Sequence, residues 1–338
     1  MTTKVSADNR KKIALLTIKK DFHALAVRKY LHDTYDDVDC YIIENDNIAA
    51  TGGLTWSAQS DFPGFLPSSE GELVKISEVD LIWWRRIVPN EKYDLPEYIT
   101  DEGHIDIIIN DTHSSTLGVL LTEFRGKWIS APEPSRIAEN KLVQLRAAIQ
   151  AGLKIPQTLI SQNPEHIREF CAKLNNQVVV KALSGTMKGA TFARMVEDRL
   201  LASDESLKLC PTIYQEYVTG TQHLRVNCFG RDIRAAMIET EVLDWRGQLE
   251  SKMGEVELPA DLKEKLLKVL ELLGLEMGIF DLKINAEGEP VWLEINPQGQ
   301  FLFLEGLIDM PLTAAFGDYL YREASANRER QTGIRAAA

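Results

Sequence analysis

Apolar residues in the first third of the chain fall into short runs separated by a stretch at helical spacing. Lys12 to Thr17 is an apolar run, a helical stretch follows to about Tyr30, and a second apolar run spans Val38 to Ile43. This β-α-β alternation predicts a partly parallel sheet. Residues 46–72 are rich in Gly, Ser, Pro and Asp and predict a long loop. Val79 to Arg86 predicts a strand ending in two arginines. A helix over about Thr112 to Phe124 and a strand at Lys127 to Ser130 complete this part. The stiff Ala131-Pro132-Glu133-Pro134 segment predicts a domain boundary.

Beyond it, Arg136 to Ala151 predicts a helix with Leu142, Leu145 and Ile149 on its apolar face and Gly152 as its stop. Asn163-Pro164-Glu165 opens the next helix with a cap, a first-turn proline and an acid. Strands are predicted at Gln177 to Leu183, Thr191 to Val196, Thr212 to Val218, His223 to Phe229 and Ile233 to Glu239. A helix then runs from Pro259 to Leu273, stopped by Gly274, and Asn327 to Ala338 predicts a frayed tail. The fold class is mixed α/β (α+β).

The last hairpin carries the strongest chemical signal. Phe280, Leu282 and Ile284 share one face of its first strand, and Val291, Leu293 and Ile295 one face of its second. Both apolar sets must meet the same core, so a two- or four-residue turn around Glu287-Gly288 sets Asp281 opposite Glu294. Directly opposed acids have Cβ atoms roughly 5 Å apart and repel. Asn296 lies one pleat beyond Glu294 on the same face. Two carboxylates and an amide oxygen suit a hard cation such as Mg²⁺, whose other ligands come from water and phosphates. For an isolated hairpin, the competing reading is a solvated sheet face on which each acid pairs with a Lys or Arg.

Other positions add weaker signals. Lys181 interrupts the buried-strand run Val178-Val179-Val180, and Ser184-Gly185-Thr186-Met187-Lys188-Gly189 follows as a small, flexible loop. A buried lysine is costly unless it meets an anion, and glycines let backbone N–H groups approach phosphate. An ordinary hairpin with an edge lysine explains the same residues. Arg225 and Arg246 suit carboxylate or phosphate because guanidinium binds such groups bidentately, although lone arginines more often form surface ion pairs. Neither the GxxxxGK[ST] nor the GxGxxG pattern is present.

Composition narrows the classes. The length of 338 residues predicts two or three domains, and 44% hydrophobic with 26% charged residues excludes wholesale disorder. The 38 basic and 50 acidic residues give a net charge of −12, which argues against a nucleic-acid partner. No apolar run is long enough for a membrane span, and the N-terminus has no signal core, so a cytoplasmic location is expected. The four cysteines are widely separated and form no CxxC pair, which speaks against a disulfide frame or zinc site.

Taken in order, Asn140-Lys141, the Lys181 strand with its glycine loop, Gln215-Glu216-Tyr217-Val218, the Arg225 strand, Asp281 and Glu294-Ile295-Asn296 resemble an ATP-grasp carboxylate–amine/alcohol ligase. Trp83-Trp84-Arg85-Arg86, Leu243-Asp244-Trp245-Arg246 and Glu294-Ile295-Asn296-Pro297-Gln298-Gly299-Gln300-Phe301 resemble the microviridin-type graspetide maturases within that superfamily. The more general motif order is shared with the ribosomal-protein glutamate ligases. The resemblance implies a preceding α/β domain (1–130), two ATP-binding sub-lobes (131–208 and 209–326) and a flexible tail (327–338).

It also implies roles. Lys141 and Lys181 would contact ATP phosphates, with Ser184, Gly185 and Gly189 in the covering loop. Glu216, Tyr217 and Val218 would hold adenine, largely through backbone groups. Asp281, Glu294 and Asn296 would bind Mg²⁺. Arg225 would act at the transferred phosphate and Arg246 at the acidic side chain of a peptide, with Asp244 and Trp245 beside it. Related ligases often carry an acid where His223 stands, so ribose contact is unassigned. The implied partner is a ribosomal precursor peptide, leader plus core, and the implied assembly a homodimer. The alternatives are a glutamate ligase and a nucleotide-binding regulator without turnover.

Overall fold

The computed structural model describes residues 10–59, 64–86, 95–184, 192–247 and 250–337, with side chains to residue 330. They form two compact units: Met1–Pro132 with Gln300–Glu305 and Pro311–Ala338, and Glu133–Gly299 with Gly306–Met310. The C-terminal segment Pro311–Ala338 belongs to the first unit.

In the first unit, β1 (Lys11–Thr17), β2 (Val38–Glu44), β5 (Leu81–Trp84) and β6 (Lys127–Ile129) form a parallel sheet in the order β2-β1-β5-β6. Ile13 to Leu16 are fully buried, as a parallel strand covered on both faces requires. Residues 46–72 are not wholly loop: β3 (Phe65–Pro67) and β4 (Leu73–Lys75) make a short hairpin, closed by Ser68 N–H on the Glu72 carbonyl. The helix predicted from Thr112 begins at Glu102, where Asp101 accepts the His104 N–H at 2.9 Å. Residues 327–337, predicted as a frayed tail, continue the helix Leu312–Ala337. Asn327 donates to the Asp80 carbonyl and Arg328 to the Asp80 carboxylate at 3.0 Å, so packing supplies what local sequence does not.

Arg85, the first arginine of Trp-Trp-Arg-Arg, is buried. Its Nε donates to Asp21 at 2.5 Å, and Asp21 also accepts from the Thr17 hydroxyl and the His23 N–H. Burial works to raise the Asp21 pKa, but these donors and the guanidinium hold it well below the usual carboxylate range. The His23 ring in turn accepts the N–H groups of Phe301 and Leu302.

The second unit contains two antiparallel sheets. One comprises β7 (Thr158–Ser161), β8 (Val178–Lys181), β9 (Arg194–Met195) and β10 (Thr212–Glu216), in the order β7-β10-β8-β9. The other comprises β11 (Gln222–Phe229), β12 (Asp232–Glu239), β13 (Lys252–Val256), β14 (Met277–Ile284) and β15 (Pro290–Asn296), in the order β13-β12-β11-β14-β15. Leu224, Val226, Cys228, Phe280 and Leu282 face a core completed by the helix Ala260–Leu273. Each such fully buried side chain contributes about 1.5–3 kcal/mol. Gly274 ends that helix at φ 66°, the left-handed cap that glycine adopts without strain. The predicted 136–151 helix is two helices, Pro132–Ala138 and Lys141–Gln150, because the Asn140 side chain caps the second by accepting from Leu142 and Val143. Restarting there turns Gln144, Ala147 and Ala148 inward and leaves Leu142 and Ile149 exposed.

Candidate functional site

The hairpin β14–β15 pairs Ile279 with Asn296, Phe280 with Ile295 and Asp281 with Glu294. Its turn, Asn285 to Glu289, is one residue longer than predicted, and Asn285 Oδ1 accepts the Glu289 N–H at 2.7 Å within it. A one-residue slip would send every side chain to the wrong face. A β-bulge cancels the slip: Leu282 pairs with Trp292, leaving Leu293 as the extra residue. Trp292, not Leu293, therefore fills the core, and the acids stay opposed.

Around these acids gather several of the predicted residues. Arg225, the register partner of Asp281 on β11, donates to Asp281 Oδ2 at 2.7 Å, and both side chains are buried. Lys141, from the first turn of its helix, donates to Glu294 Oε2 at 2.7 Å. Asn296 Nδ2 lies 3.4 Å from Asp281 Oδ2 and 3.3 Å from Glu294 Oε1. The amide nitrogen faces the acids here, where the sequence reading places the oxygen. Asp281 Oδ1 is buried with no hydrogen-bond partner among the described residues.

The two acids have opposite electrostatics. Burial raises the Asp281 pKa and Glu294 adds to the rise, against the Arg225 charge. For Glu294 burial also pulls upward, but Lys141, Lys181 and Arg246 outweigh it and hold the carboxyl well below its usual range. Lys181 is pushed down by burial and by the charges of Lys141 and Arg246, with both acids opposing. One anionic and cationic cluster thus links six predicted residues. A divalent cation fits it in donor chemistry: Asp281 Oδ1 is a buried acceptor without a hydrogen-bond donor among the described residues, and carboxylate and amide oxygens are the ligands a hard cation takes. Among the described residues no group of three His, Cys, Asp or Glu side chains could hold a metal, so a site at these two acids would need a further ligand such as the Asn296 amide.

Arg246, in the turn Trp245–Gly247, forms a two-point pair with Asp244, Nε to Oδ1 at 2.8 Å and Nη2 to Oδ2 at 2.5 Å. Trp245 is buried, with the Arg225 guanidinium 5.7 Å from its ring centre. Ser184 and Lys181 line a cavity of about 510 Å³ with Leu183, Phe192 and Arg194. Gly185 and Gly189 lie outside the described residues. In the Glu216-Tyr217-Val218 segment, Glu216 N–H bonds Gln157 O at 2.8 Å and Tyr217 N–H bonds Gln177 O at 2.9 Å. Of the three N–H groups, only that of Val218 has no backbone acceptor among the described residues. Gly220, at φ 117°, follows; a Cβ there would lie 2.2 Å from the Ile284 carbonyl oxygen, so the chain needs glycine to enter β11.

The residue that sequence reasoning misses is Gln144. One turn after Lys141, its Nε2 donates to the carbonyls of Ala138 and Ile295, while its Oε1 accepts the Ile295 N–H. It holds the backbone between Glu294 and Asn296 as a neighbouring strand would. Its signal in the sequence is slight: a polar residue on the face of a helix that turns inward.

No family model matches the sequence. Among curated proteins, the α-aminoadipate–LysW ligase LysX of Sulfurisphaera tokodaii is 22% identical over 186 residues, 51% of this chain; the chain spans 65% of that relative's length. Solved structures match far more of it. Macrocyclase MdnC of Microcystis aeruginosa MRC, bound with precursor peptide MdnA, has a TM-score of 0.82 at 24% identity, covering 92% of this chain and 99% of its own. Macrocyclase MdnB of the same organism has a TM-score of 0.75 at 26% identity, with the same coverage. ATP-grasp ligase PsnB, complexed with a minimal precursor, Mg and ADP, has a TM-score of 0.75 at 21% identity, covering 96% of this chain and 99% of its own. The chain therefore has the ATP-grasp fold and is similar, over 92% of its length, to the macrocyclases MdnC and MdnB.

Proposed function

We propose that the protein is an ATP-dependent peptide macrocyclase. The observation that carries this reading is the opposed pair Asp281 and Glu294, ringed by Lys141, Arg225, Lys181 and Arg246. Phosphoryl transfer needs charge neutralisation and in-line positioning more than a protein nucleophile, and this site supplies cations without one. Asp281, Glu294 and Asn296 would hold Mg²⁺, the amide of Asn296 presenting its oxygen once the acids are otherwise engaged. Bound there, the ion would supply positive charge to offset that of the triphosphate. Lys141 and Lys181 would bind those phosphates, and Glu216, Tyr217 and Val218 the base.

In the first step an Asp or Glu carboxylate of the peptide attacks the γ-phosphorus, forming an acylphosphate and releasing ADP. Arg225 would stabilise the phosphoryl group in flight, and Arg246 would orient the carboxylate. In the second step a Ser or Thr hydroxyl, or a Lys amine, of the same peptide attacks the acyl carbon. Phosphate leaves, the nucleophile's proton passes to solvent, and an ester or amide ring closes. Holding both groups on one peptide supplies the rate advantage of an intramolecular reaction. The precursor would comprise a leader that docks and a core that reacts; the neighbours solved with precursor peptides support this.

A glutamate-ligase reading is favoured by one observation, the match to a ligase named for joining α-aminoadipate to LysW. Incubation with ATP, Mg²⁺ and a leader–core peptide rich in Thr, Ser, Asp and Glu separates the two. Macrocyclisation predicts peptide-dependent phosphate release and loss of one water mass per ring. A gain in mass with free glutamate would replace it by the ligase reading. Absence of phosphate release under both conditions would leave a nucleotide-binding regulator.

A further inference from the structure

β15 is the outer strand of its sheet, and its outer edge meets the helix Lys141–Gln150. On an edge strand alternate residues turn N–H and C=O away from the ladder, where they need another partner. For Ile295 that partner is a side chain. Gln144, buried to 1% exposure, donates from Nε2 to the Ile295 carbonyl at 2.9 Å and accepts the Ile295 N–H on Oε1 at 3.3 Å. Nε2 also donates to the Ala138 carbonyl at 2.7 Å, and the Lys141 ammonium donates to Oε1 at 3.4 Å. A glutamine amide has two donors and an oxygen with two lone pairs, so its whole capacity is engaged.

Two features put this clamp at the place where the strand most needs it. The bulge at Leu293 disrupts the ladder to β14 immediately before Glu294. The inner edge of β15 is weakened there, and Gln144 holds the strand from outside. Lys141 closes a ring: one turn before Gln144 on the same helix, it donates to Glu294 Oε2 at 2.7 Å. The helix start, the Glu294 side chain and the Ile295 backbone are thus fixed relative to one another. A leucine would fill the same space but leave the Ile295 groups without partners. A glutamate would keep the acceptor and lose both donors.

Resting on the metal reading above, we infer that Gln144 is a positioning residue: by fixing Ile295 it holds Glu294 and Asn296 rigidly enough to favour a small cation. Mg²⁺ requires oxygens at about 2.0–2.1 Å in near-octahedral geometry, whereas Ca²⁺ accepts about 2.3–2.6 Å and irregular geometry. Loosening the strand therefore penalises Mg²⁺ more than Ca²⁺. Partners that orient the ligands of a metal are typically worth about 10–100-fold in its affinity.

The test is Mn²⁺ binding to the full chain saturated with ADP, followed by electron paramagnetic resonance and displaced by Mg²⁺ or by Ca²⁺. It compares the wild type with Gln144→Glu and Gln144→Leu. Both variants are expected to lose Mg²⁺ affinity about tenfold more than Ca²⁺ affinity, a ratio from which any general change of charge cancels. Ile167→Ala lowers stability in a core cluster that includes no residue of β15, and should leave the ratio unchanged. Equal loss of both affinities in Gln144→Glu overturns the inference, even where the leucine variant fails to fold. The same shift of ratio in Ile167→Ala also overturns it, by tracing the change to stability alone. A wild-type protein that binds no Mn²⁺ with ADP present overturns the metal reading itself.

Discussion

Glu294→Gln should lower peptide-dependent ATP turnover by about 10²–10³-fold or more while leaving the fold intact. The substitution keeps size and shape but removes one of the two charges that would grip the cation. Glu294 also neutralises Lys141 at 2.7 Å and draws Lys181 and Arg246 by charge, so its loss unbalances the whole cluster. The backbone stays held, because Gln144 binds Ile295 through main-chain groups. Phosphate release and thermal unfolding measured on the same preparation separate the effects. Near-normal release would refute the metal assignment.

Arg225→Met should be the most destabilising single change in the site. It removes the guanidinium from Asp281 and leaves a buried carboxylate opposite a second one. Breaking a buried pair in this way costs about 3–5 kcal/mol. For a unit of this size that corresponds to roughly 6–20 °C in thermal midpoint. Adding Asp281→Leu removes the stranded acid and should restore most of the stability, with no return of turnover. A single variant as stable as the wild type would show that Asp281 takes up a proton at little cost and does not depend on its arginine.

Most of the architecture was legible because strands and helices announce themselves by period. The run Ile13 to Leu16 reads as a doubly covered strand, and Gly274 as a helix stop, from local chemistry alone. The opposed acids followed from face alternation, but by a route the structure corrects. The turn Asn285 to Glu289 is odd in length, and the bulge at Leu293 restores the pairing. A bulge leaves no local signature; the core's demand for Trp292 decides it. Long-range docking was equally hidden. Nothing near Asn327 signals a helix, yet Asp80 anchors it. Gln144 looked like any helical glutamine because the strand it binds, at Ile295, lies 151 residues away. The Glu216–Val218 segment was named for its backbone, and two of its three N–H groups turn out to be committed to Gln157 and Gln177.

The central claim is most directly tested by a crystal structure with ADP and Mg²⁺. The account predicts an ion about 2.0–2.1 Å from oxygens of both Asp281 and Glu294, bridging to the β-phosphate. Nucleotide bound with no ion touching either acid would contradict it.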